Sequence, residues 1–161
     1  MTEAPPEWHI SEWLNTDQPL TLASLRGRVV VVCAFQMLCP GCVETALPQM
    51  REAHELFHSH GVEVIGLHSV FEHHEAMTPV SLRAFLHEYR IRFPVGVDLP
   101  GGGKDPMPRT MRDYAMQGTP TLLFYRRNGD LATQHFGHLP DMTFGAQIMA
   151  LLAEVEGPDG R

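Results

Sequence analysis

The sequence is short of what several function classes need. Across 161 residues, 12 Lys and Arg face 19 Asp and Glu, for a net charge of −7. No basic run interrupts that balance. Phosphate binding requires clustered Lys and Arg, so nucleic acid is excluded as an expected partner. No apolar stretch approaches the length that spans a bilayer, so no membrane partner is expected either. The opening residues Met1-Thr2-Glu3-Ala4-Pro5-Pro6-Glu7-Trp8-His9 carry neither the basic nor the apolar region of a secretory leader. The chain as it stands is therefore expected to be cytoplasmic, neither exported nor anchored. Cysteine is scarce and odd in number, at three, which excludes a disulfide scaffold. No internal repeat is visible. Gly101-Gly102-Gly103 follows Leu99-Pro100, and no GK[ST] is present, so the run reads as a flexible loop and not as a phosphate cradle.

What is present describes a globular protein: 43% hydrophobic and 19% charged residues in a chain long enough for a proper core. A single domain over residues 1–161 is expected, with an extended lead-in at 1–28 and the core at 29–156. Within the lead-in, Leu20-Thr21-Leu22 reads as a short edge strand. Val29 to Phe35 is apolar and β-branched, the composition of a strand buried on both faces. Val43 to Phe57 shows apolar residues at three- and four-residue steps, the pattern of a helix. Gly61 stops that helix, and Val62 to His68 forms a second strand. Pro79 to Tyr89 reads as a helix, Phe93 to Val97 as a short extended segment and Pro108 to Met116 as a short helix. Thr121–Tyr125 and Leu131–Phe136 flank Asn128-Gly129, a hairpin signal. An amphipathic helix closes the chain over about Pro140 to Glu154.

Cys39-Pro40-Gly41-Cys42 sits where the first long strand hands over to a helix. Two thiols one helical turn apart can close a small disulfide ring. The first lies at a helix N-terminus, whose unpaired N–H groups and dipole favour a thiolate and hence a nucleophile. By itself the pair reads as redox-active or metal-binding.

The element order, this CxxC and Gly118-Thr119-Pro120-Thr121 before the hairpin together resemble the thioredoxin fold. Within it, the chain is most similar to the TlpA/ResA-like thiol–disulfide oxidoreductases and redoxins. The phrases that carry the likeness are Pro19 to Val32, then Phe35-Gln36-Met37-Leu38-Cys39-Pro40-Gly41-Cys42 with Leu47-Pro48 beyond. The likeness covers about residues 5 to 153. It implies an α/β thioredoxin fold: a central mixed sheet flanked by helices, with an N-terminal extension and a βα insertion. It also implies Cys39 as nucleophile, Cys42 as resolving thiol, and a substrate-binding surface of Thr119, Pro120, Pro40 and Gly41, with Pro120 in cis. Implied partners are a disulfide-containing protein or small thiol and an electron donor. No cofactor and no metal are implied.

Two positions depart from the better-known thioredoxins. Cys33 stands where those carry a buried acid, and Leu38 where they carry Trp. Relatives of the ResA type place a glutamate after the second strand, which makes Glu72 a candidate proton relay. A desolvated carboxylate there would have a raised pKa; the alternative is a solvated loop residue. Cys33 is expected to pack as a small core residue. Peroxiredoxins share the fold, with a Pro-x-x-x-Thr-x-x-Cys pattern whose Thr helps position the peroxide. Val32 and Gln36 occupy the matching positions, so peroxidase activity is not expected. Ten histidines raise a metal reading. His54 and His58 are one helical turn apart, His73-His74-Glu75 adds donors, and His135 or His138 with the CxxC offers a Cu(I) set. A redox-responsive or copper-binding module is thus the alternative to an enzyme.

Overall fold

The structure is a computed structural model, and it describes residues 3–155. The outer ends of the expected domain, residues 1–2 and 156–161, lie outside the described residues. Six strands form one mixed sheet in the order β1-β4-β3-β2-β5-β6. They are β1 (Ile10–Leu14), β2 (Val29–Phe35), β3 (Val62–His68), β4 (Val95–Asp98), β5 (Thr121–Tyr125) and β6 (Leu131–Phe136). Strands β2, β3 and β4 run parallel, whereas β1, β5 and β6 add antiparallel. The helices are α1 (Leu47–Phe57), α2 (Pro79–Glu88), α3 (Arg109–Asp113) and α4 (Asp141–Ala153).

Strand β2 is buried along its whole length because both faces of the sheet are covered. Val29, Val31, Cys33 and Phe35 point to one side, where they pack with Met50 and Ala53 of α1, Leu82 and Leu86 of α2, and Phe144 and Ile148 of α4. Val30, Val32 and Ala34 point to the other, against Met111 of α3, Tyr114, and Leu22 and Leu25 of the lead-in. The continuous apolar run is what such two-sided burial requires. Asp98 anchors the second layer. Its carboxylate accepts from the backbone N–H groups of Thr110 and Met111, at 2.8 and 3.1 Å, and from the Ser69 hydroxyl at 2.8 Å. Burial raises this carboxyl above the ordinary carboxylate range even though those bonds pull the other way.

Two sequence expectations need correction. The edge strand of the lead-in is Ile10–Leu14, paired with β4, and not Leu20-Thr21-Leu22. At the latter position Thr21 and Ser24 exchange side-chain to backbone bonds of 2.9 and 3.0 Å, which close a turn into the 3₁₀ segment Ala23–Leu25. Such local bonding competes with a strand ladder. The first long helix also opens differently. It is helical from Pro40, and the Cys42–Ala46 segment winds as a single π turn before α1. The cause is Pro48, which has no N–H to give the carbonyl of Glu44 and would clash with it in a regular α-turn. Leu47 N–H bonds the Cys42 carbonyl instead, five residues back.

Candidate active site

The site is built at the C-terminal end of β2. After Phe35 the chain turns through Gln36, Met37 and Leu38, with Cys39 N–H donating to the Gln36 carbonyl at 3.2 Å. Helical winding then starts at Pro40, which places Cys39 at the helix mouth. Cys39 and Cys42 form a disulfide, with Cα atoms 5.2 Å apart. Their surroundings differ. Cys39 is half-buried, whereas Cys42 has no exposed surface and packs in the core beneath the first turn. The Cys42 backbone N–H points at Cys39 Sγ, 3.3 Å away.

A second loop faces the pair. The Thr119–Pro120 peptide bond is cis. The Thr119 carbonyl lies 3.5 Å from Cys39 Sγ, and a Cβ on Gly41 would sit 3.6 Å from Pro120 Cδ. This loop is held from β5 and β6: Thr121 Oγ1 donates to the Gly118 carbonyl at 2.7 Å, and Gly137 N–H to the Pro120 carbonyl at 2.8 Å. Gly118 lets the loop pass close under Phe136, since a Cβ there would come within 3.1 Å of that ring and push it aside. Leu38, 57% exposed, and Phe136, 49% exposed, give the surroundings an apolar rim.

Cys39, Cys42, Thr119, Pro120 and Gly41 thus converge, with Pro40 exposed on the outer turn. Glu72 does not meet the condition set for a proton relay: it is exposed on the loop after β3, so the desolvated carboxylate is not found. Cys33 is sealed in mid-strand, and burial pushes its thiol up to about 12. It is a free thiol in this structure. His54 and His58 lie side by side, with ring centroids 5.0 Å apart and planes tilted by 46°. Burial, then the neighbouring His58, lowers the His54 pKa. Among the described residues no three His, Cys, Asp or Glu side chains come together to hold a metal ion.

Two residues were missed from sequence. His68, the last residue of β3, is 1% exposed and packs against Phe35 with ring centroids 5.1 Å apart and planes tilted by 44°; desolvation lowers its pKa to about 4. Gln36 is also 1% exposed. Its amide donates to Thr119 Oγ1 at 3.3 Å and accepts from Phe71 N–H at 3.1 Å. The available signal was a polar residue between an all-apolar strand and a CxxC.

A mixed sheet covered on both faces, with a vicinal thiol pair at a helix mouth opposite a cis-proline loop, defines a thioredoxin-fold thiol–disulfide oxidoreductase. Residues 3–133 match the model of the AhpC/TSA family, and the chain belongs to that family. A solved thioredoxin-like superfamily protein superposes with a TM-score of 0.91 at 54% identity, covering 96% of this chain and 99% of that one. A thiol-disulfide isomerase from Corynebacterium glutamicum gives 0.89 at 43% identity, covering 94% and 97%. The thiol:disulfide interchange protein DsbE of Allochromatium vinosum is 25% identical over 152 residues, 94% of this chain and 75% of that protein.

Proposed function

We propose that the protein is a reductase of protein disulfides, working from the dithiol form of Cys39 and Cys42 in a reducing compartment, the cytoplasm. The observation that carries the reading is the asymmetry of the pair: Cys39 reaches the surface at a helix mouth, while Cys42 is sealed behind it. The N–H of Cys42, aimed at Cys39 Sγ, and the helix dipole favour a thiolate there. That thiolate attacks one sulfur of a substrate disulfide, and the other sulfur leaves as a thiolate and takes a proton. Cys42 then gives up its proton and attacks Cys39 Sγ, releasing the second substrate thiol and leaving the Cys39–Cys42 disulfide. Two electrons pass to the substrate, and an external dithiol donor must return them. Thr119 offers its backbone to an extended substrate chain in a strand-like contact.

The experiment is reduction of a model protein disulfide by the dithiol form. Cys39→Ser is expected to abolish turnover, and Cys42→Ser to accumulate a mixed disulfide on Cys39. Full activity of Cys39→Ser would sink the mechanism. The name of the Corynebacterium relative supports a second reading, isomerisation, which opens with the same attack by Cys39 and differs in that a second substrate thiol, not Cys42, displaces Cys39, so the enzyme recovers its dithiol and no net electrons pass.

A further inference from the structure

Gln36 is buried beside the dithiol, yet it takes no part in the exchange steps. Its amide can be oriented without ambiguity. The Phe71 N–H can only donate, so Oε1 faces it at 3.1 Å. Nε2 is thereby turned to Thr119 Oγ1 at 3.3 Å. The Gln36 carbonyl receives the Cys39 N–H at 3.2 Å. One residue therefore fastens together the turn that carries Cys39, the loop after β3 and the Thr119–Pro120 loop. The two side-chain partners lie 35 and 83 residues away in the chain.

We infer that Gln36 is a positioning residue for substrate binding: it fixes the Thr119 backbone relative to Cys39 Sγ, so that a polypeptide disulfide paired with that backbone is presented to the nucleophile. The inference rests on the reductase reading. A Thr119 backbone left out of register with Cys39 must be reordered by each substrate that pairs with it, and that ordering cost is drawn from affinity. A tie that spans both loops is the means by which this chain holds that register. A small disulfide that makes no backbone contact has no need of the tie.

The test compares wild type, Gln36→Leu, Thr119→Val and the double variant on two substrates. One is a model protein disulfide, and the other is a small aromatic disulfide that needs only Cys39. Gln36→Leu is expected to raise KM for the protein substrate about tenfold while turnover of the small disulfide stays within about twofold. The double variant is expected to be no worse than the worse single variant to within about twofold, because both remove the same bond. Gln36→Glu, which can accept from both the Phe71 N–H and the Thr119 hydroxyl, should bring the protein-substrate KM back to within about threefold of wild type. Should Gln36→Leu not fold, Gln36→Asn, one methylene too short to span both partners, is held to the same expectation. A wild-type KM in Gln36→Leu or Gln36→Asn, an equal loss on both substrates, or no recovery in Gln36→Glu overturns the inference. Wild-type protein that turns over only the small disulfide sinks the reductase reading instead.

Discussion

At the scale of single residues, burial decides which titratable side chains take part in chemistry. Cys33 and Cys42 share the same core, yet Cys33 is held as a thiol by desolvation in mid-strand while Cys42 sits one turn from a partner. His68 follows the same logic in reverse, because burial penalises its charged form. Its folded pKa of about 4 lies below the unfolded value of 6.5, so the unfolded chain binds more protons between those limits. Stability is accordingly full above pH 6.5 and falls as pH drops toward 4. Between pH 7 and pH 5 His68 is expected to withdraw about 2 kcal/mol of unfolding free energy. The check is urea denaturation at both pH values beside His68→Phe, which keeps a ring and lacks the proton. His54, lowered mainly by desolvation, acts in the same direction and remains in both proteins, so the difference isolates His68. Equal pH dependence in the two proteins would refute the assignment.

At the scale of elements, the lead-in is a structural part of the sheet. Trp8 Nε1 donates to the Tyr125 hydroxyl at 3.0 Å, and that hydroxyl donates to Tyr114 at 2.8 Å. Trp8 also packs edge-on against Trp13 and Tyr125. Trp8→Ala is expected to cost about 2–3 kcal/mol in urea denaturation, through lost packing and a lost hydrogen bond. Turnover per folded molecule should stay near wild type, because Trp8 packs on the face of the sheet away from α1. A variant of unchanged stability would mean that the lead-in is merely draped over the sheet. This element was also the least legible in the sequence. β1 gains its place from pairing with β4, more than eighty residues downstream, and five residues with a bulge carry little alternation of their own. Elements with local causes were plain by contrast: the two-sided apolar run of β2, the CxxC after it, and the hairpin, whose Gly129 takes the left-handed conformation at φ 92°. The site divided in the same way. Cys39, Cys42, Thr119 and Pro120 announce themselves by motif. Gln36 does not, because nothing local shows which distant loops an amide will bridge, and the two readings of Glu72, relay or solvated loop residue, stayed open because proximity in sequence to β3 says nothing of solvent access.

At the scale of the whole molecule, the direction of electron flow depends on how far the fold favours the disulfide over the dithiol. The Cys42 N–H and the helix mouth face Cys39 Sγ and favour its thiolate, whereas Cys42 is sealed in the core. A reductase requires the disulfide to remain the favoured state. Equilibration of the pair against glutathione is therefore expected to give a potential near that of thioredoxin, about −270 mV. A value near that of a strong oxidant, about −120 mV, would reverse the proposed direction. The burial of Cys42 has a further consequence, for how long the protein stays bound to a substrate. Once a substrate is linked to Cys39, the thiol that frees it is already inside the molecule, at an effective concentration that no free thiol in solution needs to match. Competing thiols must approach from the crowded, substrate-covered side, while Cys42 attacks from beneath. A mixed disulfide on Cys39 is therefore expected to resolve quickly, leaving the protein free of its substrates.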